Sequence, residues 1–153
     1  MARENRLEMS PAEVREFLAR LDVLILATLD KNDVPVGDVA RYVLEDESLY
    51  FAIPREGPTH RNLQRDDRIS CCAEQFPEYF EIAAVTVHGR ATEVTAPEQV
   101  AHYQTALDAL GAPVPTARAA SDGATVLLTV PLSDDIMSFD FAKIANRARD
   151  VNH

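Results

Sequence analysis

The sequence predicts an α+β protein in which six or so antiparallel strands curl into a closed or nearly closed barrel, flanked by three short helices. The first three apolar segments, at 23–29, 34–44 and 48–53, follow one another with only turn clusters between them, which leaves no room for parallel crossovers. Helical periodicity is confined to short stretches near 14–21, 59–65 and 100–110. At 153 residues the chain is one domain, and its 46% hydrophobic and 26% charged content is that of a globular protein with a real core.

Residues 1–9 are polar and are expected to be flexible. Ser10-Pro11-Ala12-Glu13 then reads as a helix start, with Ser10 as N-cap, Pro11 in the first turn and Glu13 closing a capping box. Val14, Phe17, Leu18 and Leu21 form its apolar stripe. The run VLILATL at 23–29 is a strand, the Asp30–Asp33 cluster a turn, and 34–44 the returning strand. Glu45-Asp46-Glu47 makes the next turn before SLYFAI at 48–53. The segment PREGP breaks the sheet, and Thr59 stands near the N-cap of a short helix reaching Arg65. A fourth strand is expected at 69–73 and a long fifth at 82–94, where Gly89 marks a bulge or a close backbone contact. Thr95-Ala96-Pro97-Glu98 repeats the capping-box pattern ahead of Val100, Tyr103, Leu107 and Leu110. The Ala- and Pro-rich stretch 111–123 is expected to be a mobile loop, 125–130 a sixth strand, and 136–139 a further short strand before a polar tail.

The net charge of −10, with no Lys/Arg stripe to offset it, argues against nucleic-acid binding. No apolar run approaches the ~20 residues of a membrane span, and the first ten residues lack a signal-peptide core, so a cytoplasmic protein is expected. Cys71 and Cys72 are adjacent on a predicted strand and would face opposite ways, which disfavours a mutual disulfide or a shared metal. Buried thiols in a reducing compartment are the simpler reading. His60, His88, His102 and His153 lack metal-ligand spacing, and no nucleophile elbow, P-loop or zinc-protease motif is present.

One region points to a ligand. Arg41 on the second strand, Arg55 after the third, and Arg61 and Arg65 on the short helix surround a helix N-terminus, an arrangement favourable to an anion. Glu56, Asp66 and Asp67 lie in the same stretch, and internal ion pairing is the plainer alternative.

The co-linear set formed by SPAEVREFLARLDVLILATLDKNDVPVGDVARYVLEDESLYF, RNLQRDDRISC and VTVHGRATEV resembles the pyridoxamine 5′-phosphate oxidase-like family of FMN-binding split barrels over residues 10–94. The later IMSFDF is similar to that family's last strand. The resemblance implies a six-stranded split barrel and a homodimer, with a flavin at the subunit interface. FMN is the first cofactor it implies and a deazaflavin the second. It places Arg41, Tyr42, Val43 and Leu44 along the isoalloxazine, and Ile53 where a flavin-contacting hydroxyl residue is common. Arg55, Thr59, Arg61 and Asn62 fall around the phosphate, with Thr59 at a position where the family usually carries a basic residue. A strand tyrosine such as Tyr42 is more commonly a core or interface aromatic.

Flavin chemistry needs few side chains because the ring itself accepts hydride or electrons. The resemblance therefore implies an oxidoreductase acting on a small molecule, with no catalytic residue assigned. The acidic Asp134-Asp135-Ile136 segment departs from the basic C-terminal segment of true pyridoxamine-phosphate oxidases, which disfavours vitamin B6 oxidation. Two alternatives remain: a flavin, deazaflavin or haem binder without turnover on the same scaffold, and a structural dimer with a vacant cleft.

Overall fold

The computed structural model describes residues 7–111, 123–133 and 135–144. Its elements are α1 (Pro11–Arg20), β1 (Val23–Leu29), β2 (Pro35–Glu45), β3 (Ser48–Pro54), α2 (Pro58–Arg65), β4 (Arg68–Gln75), β5 (Ala83–Arg90), β6 (Thr92–Glu93), α3 (Pro97–Asp108), β7 (Thr125–Pro131) and β8 (Ile136–Asp140). A 3-10 turn at Tyr79–Glu81 interrupts the β4–β5 connection. Most of the 111–123 stretch expected to be mobile, and the first six residues, lie outside the described residues.

All neighbouring strands are antiparallel, in the order β6-β7-β3-β2-β1-β4-β5-β8. The sheet is a curled α+β half-barrel, as expected, but it has eight strands rather than six. The expected single strand at 82–94 breaks at Ala91, whose N–H turns to Asp67 O at 2.8 Å. On one side of that break β5 pairs with β4 and β8; on the other, β6 pairs with β7. Arg90 and Thr92 therefore belong to opposite ends of the strand order while only one residue separates them. A flat sheet cannot satisfy that, so the sheet rolls until β5 meets β7. Gly89 marks the meeting point, where a Cβ would lie 3.0 Å from Val130 Cγ1.

The barrel interior is apolar and alternates along each strand, with Leu24, Leu26, Tyr42, Leu49, Phe51, Val85, Val87 and Val130 at no more than 1% exposure. The α1 residues Val14, Phe17 and Leu18 join this core. A second cluster sits outside the barrel, where Tyr103 and Leu107 of α3 cover Val43, Tyr50, Ala52 and Leu127. The Tyr50 and Tyr103 rings stack there with centroids 3.6 Å apart. The β2–β3 connection is a two-residue hairpin in which Asp46 and Glu47 both take positive φ, 49° and 63°, the hand that matches strand twist.

Each helix begins with proline in its first turn, and that proline decides the cap. Pro11 makes Ser10 the N-cap of α1, and the capping box forms in both directions, Glu13 N–H to Ser10 Oγ at 3.2 Å and Ser10 N–H to Glu13 Oε2 at 3.0 Å. By the same rule Pro58 makes Gly57, not Thr59, the N-cap of α2, and Pro97 makes Ala96, not Thr95, the N-cap of α3. Neither expected side-chain cap forms, because Thr59 already lies inside the helix and Thr95 precedes the cap by one residue.

Candidate functional site

The α2 helix ends one opening of the half-barrel, against β1 and β3, and its buried face carries Thr59, His60, Asn62 and Leu63. Three of these are polar, and two of their contacts reach strands. Thr59 Oγ1 donates to Asp38 Oδ2 on β2 at 2.7 Å, and Asn62 Nδ2 donates to Thr28 Oγ1 on β1 at 3.1 Å. His60 Nδ1 accepts the Glu56 N–H at 2.9 Å, so its proton sits on the other ring nitrogen when the side chain is neutral. Asp38 uses its second oxygen to accept the Val39 N–H at 2.8 Å.

The sequence-predicted residues divide into two groups. Thr59, Arg61 and Asn62 share α2, with Arg55 just upstream. Arg61 lies 3.9 Å from Glu56, and Arg55 3.8 Å from Glu93, so both guanidiniums stand near carboxylates of this chain. Arg41 donates to Asp22 at 2.8 Å. The side chains of Tyr42 and Ile53 point into the barrel, each 1% exposed. Tyr42 donates its hydroxyl to Leu18 O at 2.6 Å, and burial pushes that hydroxyl well above its ordinary pKa. Val43 packs beneath α3, and Leu44 against the main core. Of the internal pairing weighed for the arginines, Arg61 with Glu56 is the pair displayed. Arg41 and Arg55 stand instead near Asp22 and Glu93 from outside that stretch, and Asp66 and Asp67 pair with Arg68 and Arg90.

A second concentration of polar groups lies on the outer face of the sheet. Ser70 and His88 are cross-strand partners, and Ser70 Oγ lies 2.9 Å from His88 Nδ1. They border a cleft of about 510 Å³ with Ala27, Leu29, Arg68 and Asp135. The β4–β5 register brings this pair together, since Ser70 and His88 are 18 residues apart in sequence. A second cleft, also about 510 Å³, lies between the β1–β2 turn and the end of α2, lined by Asp30, Lys31, Arg65, Asp66 and Arg90. Three of its charges are engaged in ion pairs: Arg90 pairs with Asp67, and Asp66 with Arg68 at 2.6 Å. The Arg68 side chain, helped by its backbone N–H, holds the Asp66 carboxyl down at about 2.

The two cysteines behave as their spacing predicts. Cys71 is fully buried, and burial pushes its thiol up to about 12, which removes it from thiolate chemistry. Cys72 faces the other way and is half-buried; both are free thiols.

That outer face carries a row five strands wide that is apolar except at Thr86. Successive register partners Val39, Ile25, Cys72, Thr86 and Met137 run across β2, β1, β4, β5 and β8. Ile25 is 45% and Met137 65% exposed. The α3 helix covers β2, β3 and β7 instead. Among the described residues no helix is long and apolar enough to cross a membrane.

Comparison with known proteins agrees with this architecture. The chain superimposes on a conserved hypothetical protein of Mycobacterium tuberculosis with a TM-score of 0.74 and 19% identity, covering 95% of this chain and 93% of that one. A FAD-binding protein of Mesorhizobium loti gives a TM-score of 0.68 at 20% identity, over 85% of this chain and 94% of that one. The heme storage protein HutZ of Vibrio cholerae gives 0.61 at 18% identity, over 86% and 97%. At these identities the likeness is one of fold. No curated protein sequence matches the chain. A family model described as pyridoxamine 5′-phosphate oxidase matches residues 10–131, which is most of the chain and all of its elements from α1 to β7. The chain therefore belongs to the pyridoxamine 5′-phosphate oxidase family.

Proposed function

We propose that this chain is a flavin-dependent oxidoreductase that acts on a small molecule and works as a homodimer, with the cofactor in the groove where two copies meet. The observation that carries the reading is the family match over residues 10–131. Two further observations support it. The uncovered apolar row on the outer face is a ready surface for a second copy. The FAD-binding protein of Mesorhizobium loti shares the fold over nearly its whole length.

The two halves of a flavin meet different surroundings. A tricyclic ring asks for apolar surface and a few fixed polar groups, and the outer face with Arg41 at its margin offers both. The phosphate of FMN asks for unspent donors and positive charge. At the first turn of α2 it meets the Asp38 carboxylate instead, so a phosphate does not fit there as the side chains stand. When bound, the ring itself supplies the redox chemistry. The chain's own part is to hold the ring and exclude water.

The test is a visible absorption spectrum of the purified protein, followed by titration with FMN, riboflavin and a deazaflavin monitored by fluorescence quenching. Saturable micromolar binding, with reduction of the bound ring by NAD(P)H, is the expected result. A featureless spectrum with no quenching by any of the three overturns the proposal. The second reading, a flavin or haem carrier without turnover, draws on the carboxylate pairing of Arg41, Arg55 and Arg61. A ligand that binds but that neither NAD(P)H nor a reduced deazaflavin can reduce would favour it.

A further inference from the structure

We infer that Asp38 closes the mouth of α2 to phosphate dianions, so that this chain holds a flavin ending in a hydroxyl in preference to one ending in a phosphate monoester. The ligand named here rests on the flavin reading above; the exclusion of the anion does not.

The inference follows from counting donors. A helix N-terminus attracts anions through N–H groups that have no partner inside the helix. In α2 these are few. The N–H groups leading into the helix are spent, Arg55 N–H on Ala124 O at 2.9 Å, Glu56 N–H on His60 Nδ1 at 2.9 Å and Gly57 N–H on Pro54 O at 3.2 Å. Pro58 has no N–H. That leaves Thr59 and His60 at the mouth, and the side chain that would complete an anion cradle, Thr59 Oγ1, donates to Asp38.

The Asp38 carboxylate is held at both ends, one oxygen on Thr59 Oγ1 and the other on Val39 N–H. Through Thr59 its charge already stands against the first turn of α2. A phosphate that took Thr59 Oγ1 would break that bond and set a dianion beside a carboxylate. The nearby guanidiniums do not reverse the balance, because Arg61 stands near Glu56 and Arg55 near Glu93. A hydroxyl suits the same place: it can donate to Asp38 while accepting from the helix N–H groups.

The experiment has two readouts. In the first, riboflavin and FMN are titrated into the wild-type protein and into Asp38→Asn, with Asp38→Ser as a second variant in case the amide perturbs folding. Wild type is expected to bind riboflavin at least tenfold more tightly than FMN, and the variants to close that gap by tightening FMN. Equal or tighter binding of FMN by wild type, or a ratio unchanged in both variants, overturns the inference while leaving the flavin reading intact. In the second, inorganic phosphate is titrated while the amide resonances of Thr59 and His60 are followed. They are expected to stay still in wild type and to shift saturably in Asp38→Asn. A saturable shift in wild type overturns the inference whatever the flavins do. Absence of binding by either flavin, together with the expected amide behaviour, removes the flavin reading and leaves the closed mouth of α2 standing.

Discussion

Single side chains in this molecule do structural work at positions where the sequence pointed to a ligand. Tyr42 is the clearest case. The last carbonyls of α1 have no partner within the helix, and Tyr42 reaches from β2 to accept that role, its hydroxyl 2.6 Å from Leu18 O. Replacing it with phenylalanine keeps the ring in the core and leaves the carbonyl buried without a donor. Tyr42→Phe is expected to lower stability by about 1–3 kcal/mol in urea unfolding, with the slope of the transition unchanged. A loss below a few tenths would show that water replaces the hydroxyl. The sequence made the core reading of Tyr42 available but could not supply its partner, because Leu18 is 24 residues away. The arginines were harder still. Asp22 and Glu93 reach Arg41 and Arg55 only through register and curl, which no local pattern encodes.

Elements were legible wherever local chemistry fixes them. The α1 capping box, the opposed cysteines and the first three strands all follow from neighbours within four residues, and the structure reproduces them. The caps of α2 and α3 were misread because a hydroxyl near a helix start was given more weight than the proline, whose fixed φ sets the first turn. The break at Ala91 was missed for a different reason, since the alternation holds at 83, 85, 87, 89 and 91, slips only at Glu93 and Val94, and the change of pairing partner leaves no mark at the break itself. Gly89 was a local sign of that event. A methyl there would stand 3.0 Å from Val130 Cγ1, and Val130 is fully buried and cannot step aside. Gly89→Ala is expected to cost about 1–3 kcal/mol. Adding Val130→Ala should recover part of that loss, so that the double variant is more stable than the two single effects predict in sum. Strict additivity in thermal or urea unfolding would place the strain elsewhere.

At the scale of the whole molecule, the curl that brings β5 to β7 also decides which surface is left over. Rolling the sheet buries one side of β1 to β5 and β7, and α3 covers the outer side of β2, β3 and β7. The outer side of β1, β4, β5 and β8 keeps its row of Ile25, Cys72, Thr86 and Met137 open to solvent. A solvated face of an antiparallel sheet normally carries polar residues; this one does so at Arg68, Ser70 and His88 but leaves Ile25 and Met137 exposed in its row. The family resemblance led us to expect a dimer, and the exposed row says where it would form. Ile25 is 45% exposed in that row and lies outside the barrel, so a charge there should disturb association without disturbing the fold. In sedimentation equilibrium at micromolar concentration, wild type is expected near twice the 16.9 kDa chain mass, and Ile25→Glu near the chain mass itself. Lys31→Glu, on the exposed β1–β2 turn, serves as the charge control and should remain dimeric. If wild type sediments as a monomer, the dimer falls and the interface groove falls with it, and any flavin must then bind to one chain alone. If Ile25→Glu stays dimeric with its fold intact, two copies meet through another face, and the cofactor groove has to be sought there.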